Sequence, residues 1–318
     1  MAPSTTGWID IHGHFYLPAT EQDRIDRWKA CHAADFMVPE PWDWKPEDVL
    51  AYLDKAGIAM QMISYIPKKL DILQQANDYG ASVVKKHPSR FGLMAALPSD
   101  DPKACLEEID RTVRDLSPDG FAVTCQYNGV YLSDRRLDDV WRKLDEMNAV
   151  VFMHPDAYKE SHMGRPAPVI EVAFETTRTL VDMLYQGVFR RYPNIKWIAA
   201  HGGGAVPVLS DRLELLGTEP WVPNPEKITK EEVKKYLSTL YLDTAAVGVS
   251  SLIASLRLVG KERVVYGADC GVPCSTAKTM EENKACLLAY EGLSEEDRSR
   301  IGTNLHRLFP NALKRMGR

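Results

Sequence analysis

Eight short apolar runs, with longer amphipathic stretches between them, constrain this chain more than any other feature of its sequence. The strand candidates are Trp8–Ile11, Ala59–Ser64, Phe91–Ala96, Gly120–Thr124, Ala149–Met153, Lys196–Ala200, Leu240–Asp243 and Val264–Gly267. Helical patterns fall at Pro46–Ala56, Asp71–His87, Lys103–Leu116, Leu137–Asn148 and Thr176–Arg191. Such alternation reads as parallel βαβ units, because parallel strands need long crossovers and are covered on both faces. An open doubly wound sheet would need a Gly-rich phosphate turn after its first strand. Here that strand runs instead into His12-Gly13-His14. The pattern predicts an α/β protein, a (β/α)8 TIM barrel, with residues 1–318 as a single domain. A chain of 318 residues suits a barrel of about 250 residues plus insertions.

One insertion stands out. Phe15–Lys45 separates the first strand from its helix, far beyond the usual connection of about 2–6 residues. It reads as an irregular segment carrying Tyr16, Trp42 and Trp44, either a lid or pocket wall at the barrel mouth or a surface insertion packed by its own aromatics.

Charge and cysteine usage narrow the function classes. A net charge of −5 lacks the basic excess of a nucleic-acid binder. No apolar run approaches the ~20 residues of a membrane helix, and Met1–Trp8 has no apolar signal-peptide core. Six cysteines (Cys31, Cys105, Cys125, Cys270, Cys274 and Cys286) are scattered through the chain, so reduced thiols and a cytoplasmic location are expected. Cys270 and Cys274 have no second pair to complete a structural zinc site.

Of eight histidines, four fall just past strand ends: His12 and His14 after the first strand, His154 after the fifth and His201 after the sixth. Asp269 follows the eighth, in Tyr266-Gly267-Ala268-Asp269. The C-terminal strand ends of a barrel meet at one mouth, where barrel active sites sit. Alternation turns residues 12 and 14 to one side, so two imidazoles can serve one ion. A third imidazole and a carboxylate complete N/O ligation suited to Zn²⁺ or, with more oxygen, Mn²⁺ or Fe²⁺. Each residue also has a plainer reading: His154-Pro155 as a strand end, Asp269 as a turn cap, His201 as a packing residue before Gly202-Gly203-Gly204. Their joint placement is what points to a metal. His32, His87, His162 and His306 lack it and read as surface or packing residues.

Asp10-Ile11-His12-Gly13-His14, Phe152-Met153-His154-Pro155, Ala200-His201-Gly202-Gly203-Gly204 and Gly267-Ala268-Asp269 resemble the amidohydrolase-2 group. This is the branch of the amidohydrolase superfamily that includes aminocarboxymuconate-semialdehyde decarboxylase. The resemblance extends through His87-Pro88-Ser89-Arg90-Phe91-Gly92 and Phe174-Glu175-Thr176-Thr177, and within the group it is nearest the 6-methylsalicylate decarboxylase type. It implies that His12, His14, His154 and Asp269 hold one divalent metal, Zn²⁺ in the first instance and Mn²⁺ as the alternative. It places His201 unligated beside them, for proton handling or for a substrate oxygen. It also implies that Arg212, eleven residues after His201, reaches a substrate carboxylate in the neighbouring subunit of a homodimer; the alternative for Arg212 is a helix-surface ion pair.

Two features qualify the match. Binuclear relatives carry a bridging Lys after the fourth strand, whereas this chain reads Val123-Thr124-Cys125-Gln126-Tyr127, which implies a mononuclear site. The family also tends to place a hydroxyl residue before the Asp and an aromatic after it. Here Ala268 and Cys270 flank Asp269, with Cys270 pointing into the pocket or packing behind the strand.

The expected activity is nonoxidative decarboxylation of a small ortho-hydroxy aromatic carboxylic acid. Asp269 would protonate the ring carbon with support from His201; Tyr16, Trp42, Trp44 and Phe174 are candidate walls around the ring, each with a purely structural role as its alternative. The alternatives are a hydrolase or hydratase of a small lactone, amide or unsaturated diacid that uses metal-activated water, and a binding module that keeps a structural metal.

Overall fold

The computed structural model describes residues 5–157 and 163–318; His162 and Met1–Ser4 lie outside the described residues. Eight strands form the barrel wall: β1 (Ile9–His14), β2 (Met60–Ser64), β3 (Phe91–Ala96), β4 (Gly120–Thr124), β5 (Val150–His154), β6 (Lys196–Ala199), β7 (Tyr241–Asp243) and β8 (Val264–Val265). They pair in parallel in sequence order. The last strand closes on the first: Ile11 N donates to Tyr266 O at 3.0 Å, Cys270 N to His12 O at 3.1 Å and His14 N to Cys270 O at 2.7 Å.

Helices cover the outside: α1 (Glu21–Ala33), α2 (Pro46–Ala56), α3 (Leu70–Lys86), α4 (Pro102–Asp115), α5 (Asp138–Glu146), α6 (Glu171–Tyr185) and α7 (Val188–Arg191). After them come α8 (Val206–Leu216), α9 (Lys230–Leu237), α10 (Val249–Val259), α11 (Ala277–Ala289), α12 (Glu295–Ile301) and α13 (Pro310–Arg315). Among the described residues no helix is long and apolar enough to cross a membrane.

The strand positions match the sequence pattern closely, and two helical expectations need correcting. The Phe15–Lys45 insertion is not irregular throughout, because it holds α1. A reciprocal cap starts that helix: Thr20 Oγ1 accepts from Asp23 N at 3.2 Å, and Asp23 Oδ2 accepts from Thr20 N at 3.0 Å, satisfying two otherwise orphaned donors. The pattern at Thr176–Arg191 is two helices. The first begins earlier, at Glu171, and Gly187 in the left-handed region at φ 69° breaks the chain before α7.

The barrel interior divides along its axis. At the N-terminal end Ile9, Ile11, Met60, Met62, Met94 and Ile198 pack with Leu305, Phe309 and Ala312 from the C-terminal segment, which plugs the bottom. At the other end β1 changes parity, because its pairing with β2 slips between Asp10 and Gly13. Ile9 and Ile11 belong to the plug, yet His12 also faces inward, its ring 5.0 Å from that of Phe152. The slip lets one strand serve both halves.

Candidate metal centre and pocket

The groups brought together by the strand ends are His12, His14, His154 and Asp269, whose ligand atoms all lie within 4.8 Å of one another. His12 Nε2 and His14 Nε2 are 3.1 Å apart, and each is 3.1 Å from Asp269 Oδ1. His154 contributes a buried Nε2 with no hydrogen-bond partner among the described residues. Nitrogen and oxygen lone pairs gathered this tightly, one of them orphaned, fit a cation at their centre. His201 stands beside the set, its Nε2 3.8 Å from Asp269 Oδ2.

Electrostatics agree with that reading. Burial works against a charge on His12, but Asp269 and Asp243 outweigh it and raise its pKa to about 10. Burial, reinforced by the neighbouring rings of His14, His12 and His201, drives His154 well below the usual imidazole value. Burial also tends to raise Asp269, yet the imidazoles around it, His12 foremost, hold it well below the carboxylate range. Donors that favour one positive charge among them and disfavour a second are suited to a single shared cation.

Two carboxylates that the sequence reading did not single out orient β1. Asp243, buried at the end of β7, lies 2.6 Å from His12 Nδ1 through Oδ2, while its Oδ1 accepts from Gly202 N at 3.2 Å and Ala245 N at 3.1 Å. A carboxylate on the far nitrogen fixes the ring and leaves Nε2 for the centre. Asp10 accepts from His12 N at 2.9 Å, Ala268 N at 3.0 Å and Gln61 Nε2 at 2.7 Å, linking β1 to β2 and to the segment after β8. Its burial raises its pKa to about 6 against those hydrogen bonds.

The loops after β6 and β8 hold their functional residues in strained backbone. His201 (φ 53°) and Asp269 (φ 58°) both lie in the left-handed region, as do Gly202, Gly203 and Gly204. For a residue with a side chain this conformation costs on the order of 1–3 kcal/mol. The glycines are required: a Cβ on Gly204 would stand 2.2 Å from Ala173 O.

A pocket of about 280 Å³ opens above the cluster. Its floor is His14, His154, His201 and Asp269, and its walls include Phe36, Val169, Val172, Val272 and Met280. Among the described residues none of the lining groups is Lys or Arg.

The aromatic side chains expected to wall the ring are placed elsewhere. Tyr16 and Trp42 hold Arg27 between them, its guanidinium 4.6 Å and 4.9 Å from their ring centroids. Trp44 packs on Phe15. Phe174 lies on the outer face of α6, 43% exposed, with Arg178 over its ring. From the long insertion it is Phe36 that reaches the pocket. Cys270 is buried and absent from the pocket lining, whereas Cys274 lines it. Arg212 is exposed on α8, outside this pocket, in a second groove with Tyr185, Leu213 and Trp221. His32 and His306 bond backbone carbonyls, Val38 O at 2.7 Å and Gly7 O at 2.8 Å, as packing residues do.

Comparison with known proteins gives the same picture. A family model described as amidohydrolase matches residues 9–309. The decarboxylase macB of Penicillium terrestre is 30% identical, over 91% of this chain and 88% of its own length. The 6-methylsalicylic acid decarboxylase of Penicillium expansum is 27% identical, over 95% of this chain and 96% of its own. Among solved structures, a dihydroxybenzoic acid decarboxylase from Polaromonas sp. JS666, with bound manganese and the inhibitor 2-nitroresorcinol, superposes with a TM-score of 0.76. It is 22% identical, and the match covers 96% of this chain and 97% of that one.

Proposed function

Because the chain belongs to the amidohydrolase family, we propose that it is a single-domain, metal-dependent carboxy-lyase that decarboxylates a small aromatic acid, specifically an ortho-hydroxybenzoate of the 6-methylsalicylate kind. One observation carries this reading: His12, His14, His154 and Asp269 converge, the last three at the floor of a pocket whose walls are mainly apolar and, among the described residues, free of Lys and Arg. Apolar walls suit a ring, and the floor, with its imidazoles and carboxylate, suits the acid group. The curated relatives that act on aromatic acids support the substrate class.

A divalent metal held by those four residues, Zn²⁺ or Mn²⁺, would supply Lewis-acid stabilisation of the carboxylate and phenol oxygens. The protein's own groups handle the proton. The imidazoles hold Asp269 deprotonated, so it takes up a proton as the acid binds, from the substrate or from His201. Asp269 then donates that proton to the ring carbon bearing the carboxylate. The bond from this carbon to the carboxyl group breaks, carbon dioxide leaves, and the electron pair of the bond restores the aromatic ring. Asp269 is left as the carboxylate from which it started, and a proton from solvent replaces the one that His201 or the substrate gave up.

Carboxylate recognition points to a homodimer. No cation lines the pocket among the described residues, while Arg212 stands on α8 beside exposed Trp221, Val208 and Leu215, the first of them 69% exposed. An apolar face carrying an arginine suits a two-fold interface that sends Arg212 of the partner subunit toward the mouth.

Proton NMR in D₂O, with metal-loaded enzyme and a panel of ortho-hydroxybenzoates, tests the reading. The expected result is loss of one acid and a phenol carrying deuterium at the former carboxyl position. An untouched panel, with turnover of a lactone or unsaturated diacid instead, sinks it.

A further inference from the structure

Asp269 uses its two oxygens differently. Oδ1 lies among the ligand atoms of His12 and His14, whereas Oδ2 turns the other way and accepts a hydrogen bond from Ser275 Oγ at 2.9 Å. Cys274 Sγ is 4.0 Å from the same oxygen, and His201 Nε2 is 3.8 Å away. Ser275 also lines the pocket. Ala268 leaves no hydroxyl immediately before the aspartate, and the loop supplies one from six residues further on.

The backbone around Ser275 is fixed at both ends. Cys270 is stitched to β1 by its N–H and its carbonyl, and a Cβ on Gly271 would meet His14 O at 2.2 Å, so the loop is pressed against β1. Ser275 N donates to Val272 O at 3.1 Å. The next residue, Thr276, caps α11 in a reciprocal pair with Thr279. A hydroxyl held this way does not need to be recruited when substrate arrives.

We propose that Ser275 is a positioning residue for Asp269. Its hydroxyl locks the carboxylate so that Oδ1 serves the metal cluster and Oδ2, beside His201, keeps the orientation from which the proton is handled. The proposal rests on the metal-site reading above, but not on the identity of the substrate. A carboxylate released from this bond can swing both oxygens toward the cation, which changes metal geometry and withdraws the oxygen that faces His201. Losing a hydrogen bond to a ligating group typically costs about 10–100-fold in metal affinity or activity.

The experiment compares Ser275→Ala and Ser275→Thr with the parent, first as apoenzyme titrated with Co²⁺ and followed by visible absorption. Ser275→Ala is expected to shift the cobalt ligand-field bands and weaken Co²⁺ about tenfold, with Ser275→Thr restoring both. With the acid that the NMR panel identifies, Ser275→Ala should lower kcat about tenfold while KM stays within about twofold. Bands and Co²⁺ affinity identical to the parent in a folded Ser275→Ala protein overturn the proposal. The cobalt titration needs no substrate, so a failure of the decarboxylase reading would leave this test standing and be seen separately.

Discussion

The two ends of this barrel are built from the same eight strands and obey opposite rules. At the bottom, Ile9, Met62, Met94 and Ile198 meet Leu305 and Phe309 in an all-apolar plug. At the mouth, a few residues along the same strands, there are the four side chains of the candidate metal centre, two buried carboxylates behind them, and left-handed backbone at His201 and Asp269. The lower half is packed as stability asks, apolar against apolar. The upper half departs from that packing locally, and is held in place by the lower half and by hydrogen bonds that Asp10 and Asp243 accept. Phe152 marks the boundary, touching the plug below and the His12 ring above.

If that division is sound, changes at the two ends must separate cleanly in what they damage. Asp269→Asn should give the largest effect, a loss of turnover of up to about 10⁴-fold, with the cooperative denaturant transition retained. Steady-state assay beside circular dichroism checks both halves, and near-parental turnover would break the comparison. Leu305→Ala should do the reverse. The cavity it leaves in the plug should cost about 3 kcal/mol of stability in urea titration, while kcat below the transition stays within about twofold. A large fall in kcat without loss of stability would show that the plug belongs to the site.

Asp243→Asn probes the connection between mouth and scaffold. It should weaken metal binding by about 10–100-fold, read by competition with a chromogenic chelator, because His12 loses the partner that orients it. The smallest effect tests the interface. An Arg212→Ala chain mixed with an Asp269→Asn chain should recover roughly a quarter of parental activity if each site borrows its arginine across a two-fold. No recovery, with dimers present by light scattering, would make each pocket self-contained.

Legibility in the sequence followed the same division. Strand positions were readable because apolar runs between helical patterns have few other uses, and His12, His14, His154 and Asp269 were readable because their residue types recur at strand ends. What the sequence hid was support and orientation. Asp243 looks like any aspartate closing a strand, and only its 2.6 Å contact with His12 Nδ1 distinguishes it. The β1 slip has no residue signature. Helix α1 was missed because Cys31 is its only buried residue, leaving little apolar periodicity to read; its signal was the Thr20–Asp23 cap. The choice among aromatic residues was not legible either: Tyr16 and Trp42 pack on Arg27, while Phe36 lines the pocket.

The seam that closes the barrel has a consequence for how the protein is made. The bonds joining His12, His14 and Cys270 are the stitches between the first strand and the segment after the last, and Asp269 lies 255 residues beyond His14. Contacts of such long range form late, after the loop-closure entropy has been met. A nascent chain still on the ribosome can therefore offer three imidazoles without their carboxylate. A metal captured at that stage would be held by an incomplete set, and the full set of four donors comes together only in the finished barrel.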